Sequence, residues 1–287
     1  MVSHAGRCRL NFTDFLGRMA SEDRAQFLAS PMASTITARI LAAGIRFPES
    51  PSILGSSVKT EKGLARWWKT AVAYYAPAAE AFEFTGELAC AMGPCRGCYP
   101  YCLGHTSGRL ALSDGANARL WKTILRKHFR ALHDRILVYE FESLQRSCWN
   151  AGFKGAVRLN GSSDFPVSET EAFAGRWRSL QFYDYTKRMD APFGASIVGL
   201  TYSFDGSELS RDIAKKLLNR DQNVAVVYFG DRPKYVWGFE TVDGDETDLR
   251  FLDPPGTVVV LKPKGNKLKK ALRNAERPAF VLTSKDI

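Results

Sequence analysis

The chain has 287 residues, of which 45% are hydrophobic and 12% aromatic, so it can bury a large core and is not a disordered protein. No apolar run approaches the ~20 residues that span a bilayer, and the N-terminus lacks the apolar stretch of a secretory signal, so we expect a soluble, intracellular protein with no membrane partner. Lysine and arginine number 40 against 30 aspartates and glutamates, and the resulting charge of +10 favours a polyanionic partner such as DNA.

The first 80 residues predict a helical N-terminal extension that is interrupted by Pro31, Pro48, Pro51 and Pro77. Within it, residues 61–76 place aromatic and apolar side chains at helical spacing and predict a core-facing helix. Residues 81–86 predict a short strand that leads into a cysteine-rich loop. After this loop, apolar residues from Leu120 to Cys148 recur at helical spacing and predict one long helix.

From residue 155 onward, predicted strands alternate with helices. Apolar runs at 156–160, 180–185, 196–204, 223–229 and 257–262 predict strands, and residues 207–219 predict a helix. Ser168 and Glu171 have the spacing of a capping box that begins another helix. Because such alternation implies parallel pairing, we expect an α/β fold in which residues 81–287 form a parallel (βα) barrel or partial barrel.

Four of the six cysteines fall within thirteen residues, in a loop at 90–105 that also contains glycine and proline: Cys90, Cys95, Cys98 and Cys102. In an intracellular protein, thiols at this density are metal ligands more often than disulfides. Four thiolates close a tetrahedral zinc site, whereas three hold an iron–sulfur cluster with one iron left open. The spacing does not choose between zinc and iron, and free or redox-active thiols are the alternative interpretation.

Polar residues follow the predicted strands, at the edge where parallel α/β enzymes bind their substrates. The catalytic candidates are Asp164, Asp184, Asp245 and Asp248, since carboxylates act as nucleophiles and as general acids or bases. The substrate-binding candidates are Asn160, Ser163, Tyr183, Lys187 and Arg250. The alternative is that Asp164 and Asp205 form turns and helix caps, and that Lys187 is a solvated surface residue.

Two clusters of basic residues have the charge to follow a phosphate backbone. The first, on the predicted long helix, comprises Arg119, Lys122, Arg126, Lys127 and Arg130. The second, near the C-terminus, comprises Lys262, Lys264, Lys267, Lys269, Lys270, Arg273 and Arg277. A generally basic surface is the alternative explanation.

Six segments in the same order resemble a family of bacteriophage proteins named after gene product eighty-eight of mycobacteriophages. The segments are Cys90…Cys98-x-x-x-Cys102, VRLNGSSD at 157–164, QFYDYTK at 181–187, LTYS at 200–203, NVAVV at 223–227 and DGDETDLRFLD at 243–253. The resemblance implies a phage protein that works in the host cytoplasm and has a barrel-like α/β core.

Three functions are compatible with this resemblance. The first is similar to phage DNA-guanine transglycosylation, in which guanine in DNA is exchanged for a 7-deazaguanine base by an aspartate nucleophile in a protein with structural zinc. The second is similar to radical S-adenosylmethionine enzymes, in which three cysteines hold a 4Fe–4S cluster. The third is a metal-stabilised nucleic-acid-binding protein. We expect an enzyme that modifies DNA bases, and the first function is our preferred prediction.

Overall fold

The computed structural model describes residues 9–90, 98–106 and 112–287. Short helices open the described chain, and a two-stranded antiparallel sheet brings the two ends of this region together. The elements are β1 (Arg9–Leu10), α1 (Phe12–Arg18), α2 (Ser21–Leu28), α3 (Ala33–Ala42) and β2 (Phe47–Pro48). The ring of Phe12 contacts those of Phe27, Phe47 and Phe129. Because Phe129 lies far along the chain, the N-terminal helices share one core with the rest of the protein.

The centre of the molecule is a sheet with a parallel path through seven of the described strands. Along the sheet these strands are β4 (Trp68–Ala73), β5 (Lys154–Arg158), β6 (Leu180–Thr186), β7 (Gly199–Ser203), β8 (Val224–Tyr228), β11 (Val258–Leu261) and β10 (Phe239–Asp243). Short strands flank the path: β3 (Leu54–Gly55) and β9 (Tyr235–Val236) pair antiparallel with β4 and β10, and β12 (Val281–Leu282) pairs parallel with β8. Strands such as VAVVY in β8 are mainly apolar because helices and loops cover both faces.

Helices connect most of the parallel strands. They are α4 (Val58–Glu61), α5 (Ala78–Thr85), α6 (Leu103–Thr106), α7 (Ser113–His128), α8 (Arg130–Ala151), α9 (Val167–Ala174), α10 (Glu208–Leu218) and α11 (Asn266–Arg273). The chain leaves β4, passes through α5, the cysteine segment and α6 to α8, and returns in β5. This long crossover places β4 and β5 side by side in parallel, with Trp68 opposite Lys154 and Val72 opposite Arg158.

The predicted α/β class with a mostly parallel sheet is confirmed. A barrel is not shown, because the path of described strands ends at β3 on one side and at β9 on the other. The strands predicted after residue 155 correspond to β5, β6, β7, β8 and β11, and the helix predicted at 207–219 corresponds to α10.

Two predictions for the chain before the cysteines are wrong. Residues 61–76 contain a 3₁₀ turn followed by β4, in which Val72 and Ala73 are both buried. The apolar residues of so short a strand as β4 also fit a helical period, so the pattern alone did not distinguish the two structures. Residues 81–86 lie largely in α5, which begins after Pro77 and ends at Gly86 with a φ of 67°. Proline before a helix and left-handed glycine after it are boundary signals that outweigh the strand-like run.

Two further predictions about helices are wrong. The long helix is divided at Phe129, whose φ of −134° and ψ of 52° separate α7 from α8. The capping box at Ser168 does not form, because α9 already begins at Val167, after Pro166, and no side chain caps it. The proline fixes the extended entry to this helix without a serine cap.

Candidate active site

A pocket opens at the carboxyl ends of β4 to β7. Its walls come from the cysteine segment, the loop after β5 and the ends of β6 and β7. The described lining residues are Pro77, Ala78, Cys90, Cys98, Tyr99, Cys102, Arg158, Asn160, Gly161, Ser162, Ser163, Asp164, Tyr185, Thr186, Lys187 and Ser203. This edge of a parallel sheet is where α/β enzymes bind substrates, so the pocket is the candidate active site.

The loop after β5 is packed directly against the backbone that follows β4. The N–H of Gly161 donates to the carbonyl of Ala73 at 2.9 Å, and a Cβ at Gly161 would lie only 2.5 Å from Cγ1 of Val72. The hydroxyl of Ser162 donates to the carbonyl of Tyr75 at 2.7 Å. Only glycine permits this approach, which keeps the loop beside the chain that leads to the cysteines.

Asn160 organises the same loop from within. Its Oδ1 accepts hydrogen bonds from the hydroxyl of Ser163 at 2.8 Å and from the N–H of Phe165 at 3.0 Å. Its own N–H donates to Oδ2 of Asp184 at 3.0 Å, which ties the loop to β6. The amide of Asn160 thus fixes the turn that presents Ser163 and Asp164 to the pocket.

Asp164 joins three parts of the pocket wall. Its carboxylate accepts hydrogen bonds from the hydroxyl of Thr186 at 2.7 Å and from the N–H of Lys187 at 2.8 Å, both at the end of β6. Its N–H donates to the carbonyl of Ala89, the residue before Cys90, at 2.8 Å. Burial raises the pKa of Asp164, although these hydrogen bonds oppose the rise. The residue therefore connects β5 and β6 to the start of the cysteine segment.

Arg158, the last residue of β5, lines the pocket and is the centre of a buried charge network behind it. Its Nε lies 3.3 Å from Oδ1 of Asp184, and its Nη1 lies 3.5 Å from Oδ2 of Asp248. The hydroxyl of Tyr183 donates to the same Asp248 oxygen at 3.0 Å. The guanidinium lies 4.5 Å from the centre of the Tyr185 ring. One cation thus holds two carboxylates from different parts of the chain.

The protonation of this network is set by burial. Desolvation raises the pKa of Asp184 to about 7, and the positive charge of Arg158 opposes the rise. One guanidinium faces two buried carboxylates and cannot balance both negative charges. Protonation of one carboxylate close to neutral pH therefore lowers the electrostatic cost of burial. The arrangement can therefore store a proton directly behind the pocket wall.

Lys187 brings a positive charge to the pocket in a fixed position. Its Nζ donates to Oγ of Ser203 at 3.0 Å and to the carbonyl of Phe204 at 3.0 Å, both at the end of β7. These acceptors are neutral oxygens, so they fix the position of Nζ without pairing it with a carboxylate.

The three described cysteines of the predicted metal loop all line this pocket. Cys98 and Cys102 are separated by a single 3₁₀ turn, Tyr99–Tyr101. Burial raises the pKa of the Cys102 thiol, the backbone of Gly104 lowers it and the nearby Cys98 raises it again. Cys148, by contrast, is buried in α8 and does not line the pocket.

The structure does not test the predicted metal site. Cys95 lies outside the described residues. Within residues 9–90, 98–106 and 112–287, no three histidine, cysteine, aspartate or glutamate side chains form a group that could hold a metal ion. The ligand set Cys90, Cys95, Cys98 and Cys102 therefore stays a prediction.

The predicted site residues fall into three positions. Asn160, Ser163, Asp164 and Lys187 line the pocket together with the described cysteines. Asp184, Tyr183 and Asp248 belong to the Arg158 network behind it. Asp245 and Arg250 lie apart from both groups. Asp245 accepts a hydrogen bond from the N–H of Lys262 and pairs with Lys264. Arg250 is buried, donates to the carbonyl of Thr247 and pairs with Asp253.

Sequence reasoning missed several residues of the pocket. Among these, Arg158 lies within the strand predicted at 156–160, and Tyr185 and Ser203 lie at or near the ends of the strands predicted at 180–185 and 196–204. Arg158 had a detectable signal, because a charged residue inside an otherwise apolar strand requires a buried partner. Tyr185 and Ser203 gave no such signal, because residues of these types at the end of a half-buried strand are common.

The first basic cluster is not a phosphate-binding surface. Arg119 and Arg126 are buried, with 2% and 8% of their surface exposed. Arg126 pairs with Glu87 and Glu169, and Lys127 pairs with Glu87. These cations join α7 to neighbouring elements, so the prediction that they follow a phosphate backbone is wrong.

Every helix within the described residues is too short or too polar to serve as a membrane span. Neither a curated protein nor a solved structure matches the chain. A family model described as Gene product 88 does match it, over residues 55–279, which include the described pocket residues and the seven strands of the parallel path from β4 to β10. The chain therefore belongs to the Gene product 88 family of phage proteins.

Proposed function

We propose that this protein is an iron–sulfur enzyme that uses S-adenosylmethionine, with Cys90, Cys98 and Cys102 as the cluster ligands. One observation carries the proposal. The three thiols line the same pocket as the polar ends of β5, β6 and β7. A purely structural metal has no need to lie at the edge of the sheet where substrates bind.

The donor set fits a cluster better than a single zinc ion. A structural zinc site requires four ligands that converge at about 2.3 Å for each Zn–S bond. The three described cysteines that line the pocket do not complete such a set by themselves. In a cluster each cysteine binds a different iron, so its three thiols are spread further apart and one iron stays open to a ligand.

The order of the elements also supports this proposal. The cysteine segment follows β4, which begins the parallel path, and the remaining parallel strands come after it. When bound and reduced, such a cluster supplies the electron that cleaves a carbon–sulfur bond of S-adenosylmethionine. The chain itself supplies the pocket and fixes charges there: Lys187 provides a cation suited to a carboxylate, and Asn160 and Asp164 hold the polar loop in place.

Our second proposal is that the protein exchanges bases in DNA. The reaction would take place in the same pocket, which Asp164 lines. Exchange requires one aspartate to attack the sugar and another to bind the base. Both candidate carboxylates already accept hydrogen bonds from the protein, Asp164 from Thr186 and Lys187 and Asp184 from Arg158 and Asn160. These bonds suit a role in positioning loops, so the cluster proposal accounts for more of the site.

The test is purification without oxygen, followed by iron, sulfide and zinc analysis and a visible spectrum. We expect a brown protein with several irons and sulfides per chain. Cys98→Ser and Cys102→Ser should lose the iron and the colour. Cys148→Ser is the matched control, because this thiol is buried in α8 away from the pocket, and it should keep both.

Activity is measured by incubating the purified protein with S-adenosylmethionine and dithionite as the electron donor. We expect methionine and 5′-deoxyadenosine as products, and neither product from Cys98→Ser. A colourless protein with one zinc per chain would contradict the cluster. In that case base exchange is tested by nucleoside mass spectrometry of phage DNA from cells that express the wild type or Asp164→Asn. Base exchange requires modified guanine with the wild type and unmodified guanine with the variant.

A further inference from the structure

A basic groove lies at the same edge of the sheet as the pocket. It is formed by the ends of β8 and β11 and by α11, and its described lining includes Phe229, Lys262, Lys269 and Arg273, with Asp231 as an acidic member. Helix α11 buries Leu268, Ala271 and Leu272 against the protein. Its opposite side therefore presents lysine and arginine to the solvent.

The cations of this groove are available to a ligand. Elsewhere in the second basic cluster, Lys264 pairs with Asp245 at 2.6 Å and Arg277 pairs with Asp286 at 2.8 Å. Over the part of the chain that the structure describes, Lys262, Lys269 and Arg273 have no carboxylate within ion-pair distance. Three cations held close together without protein partners have the charge to bind successive phosphates.

Phe229 adds an aromatic surface to the same groove. Half of its side-chain surface is exposed, although it directly follows the apolar strand β8. An exposed aromatic ring beside a row of cations is the combination that binds single strands, since bases stack on the ring while phosphates meet the cations. A duplex keeps its bases stacked inside and offers no face to such a ring.

The groove is joined to the cysteine segment by direct packing. The ring of Tyr101, between Cys98 and Cys102, lies 6.2 Å from that of Phe280, and Nζ of Lys267 lies 5.9 Å from the centre of the same Tyr101 ring. Gly265, just before α11, is so close to α6 that a Cβ there would lie 2.9 Å from Oγ1 of Thr106. A chain bound along α11 thus passes beside the segment that carries the thiols.

We infer that the substrate of the candidate site is a single-stranded polynucleotide, held by its phosphates at Lys262, Lys269 and Arg273 and by stacking of one base on Phe229. This assignment rests on the proposed function, because it names the substrate on which the enzyme would act. DNA and RNA share the phosphates and the bases that this groove would recognise, and the experiment distinguishes them.

The test is binding of fluorescent oligothymidylate, oligouridylate and a duplex, measured by anisotropy over a series of salt concentrations. The double variant Lys269→Ala with Arg273→Ala should lower the slope of log affinity against log salt by about 1.4, since each phosphate contact to a single strand contributes about 0.7. Phe229→Ala should weaken binding about tenfold and leave the slope unchanged, because stacking releases no counterions.

The matched control removes the same charge elsewhere. Lys215→Ala with Lys216→Ala changes two exposed lysines in the last turn of α10 and should bind like the wild type. Tighter binding of oligothymidylate would identify DNA as the source of the strand, and tighter binding of oligouridylate would identify RNA. Binding that is absent at low salt, stronger for the duplex, or equally weakened by the control would overturn the inference.

Binding is measured without S-adenosylmethionine or reductant, so its outcome is separate from that of the cluster experiment. A protein that holds iron and cleaves S-adenosylmethionine but binds no oligonucleotide retains the proposed function and loses this substrate. A protein that binds single strands through the groove but never holds iron retains the polynucleotide ligand and loses the proposed chemistry.

Discussion

Replacing Gly161 with alanine tests whether the pocket depends on the close packing of β4 and β5. The new methyl group would lie 2.5 Å from Cγ1 of Val72, 2.7 Å from the carbonyl oxygen of Ala73 and 2.8 Å from Cδ1 of Tyr74. A side chain can rotate away, but the carbonyl of Ala73 belongs to the backbone of β4. The same carbonyl accepts the hydrogen bond of the Gly161 N–H, so the loop cannot withdraw without stretching this bond.

The expected cost follows from these two contacts. Overpacking a well-packed region costs about 1–3 kcal/mol. Weakening one hydrogen bond adds about 0.5–1.5 kcal/mol. Alanine also lowers the conformational entropy of the unfolded chain, which stabilises the folded protein by about 0.4–1 kcal/mol. The free energy of unfolding of Gly161→Ala should therefore fall by about 0.5–4 kcal/mol.

Urea unfolding followed by circular dichroism measures this change. The matched control is Gly17→Ala in α1, where a new Cβ meets nothing within 4 Å. That substitution should leave stability unchanged or raise it, because alanine favours the helix over glycine. If Gly161→Ala proves as stable as Gly17→Ala, the close approach of the β5 loop to β4 is not a feature of the folded protein.

Three more predictions concern buried polar groups, each measured by urea unfolding. Asp184 has its pKa raised to about 7, so its contribution to stability is complete below about pH 4 and is lost as the pH rises to 7; Asp184→Asn should flatten this decline. Tyr75→Phe should cost about 1–3 kcal/mol, because it removes the 2.8 Å hydrogen bond to Nε2 of buried His133. Arg126→Lys should cost about 1–2 kcal/mol, since an ammonium cannot both stack on an aromatic ring and pair with Glu169. A pH dependence identical in wild type and Asp184→Asn, or unchanged stability in either of the other variants, would contradict the corresponding reasoning.

Sequence patterns predicted β5 to β8 and β11 because these strands are apolar runs between polar turns, whereas β9, β10 and β12 were missed. The run VAVVY of β8 and the run VVVL of β11 leave little choice of structure. Strand β4 escaped prediction because its six residues include Trp68 and Ala71, which fit either a helix or a strand. Its partner β5 comes about eighty residues later, and no sequence pattern near β4 indicates that the two strands pair.

Apart from the clustered cysteines, the residues of the pocket could be predicted only where they follow strands directly. Asn160, Asp164 and Lys187 were found in this way, and all three line the pocket. Asp245 follows a strand as well, but β10 lies at the far side of the sheet, five strands from β5, so it is not part of this pocket. Strand order is a property of the whole chain, and consecutive strands in sequence need not be neighbours in space.

Parallel pairing explains why the cysteines and the polar loop meet in spite of their separation in sequence. Strand β4 leads to the cysteine segment and β5 leads to the polar loop, and because the two strands run in the same direction, both segments leave the sheet at one edge. The hydrogen bond from the N–H of Asp164 to the carbonyl of Ala89 then joins them. Any chemistry at the thiols consequently takes place beside the ends of β5 and β6. A substitution in the loop should therefore change the surroundings of the thiols even where every cysteine is retained.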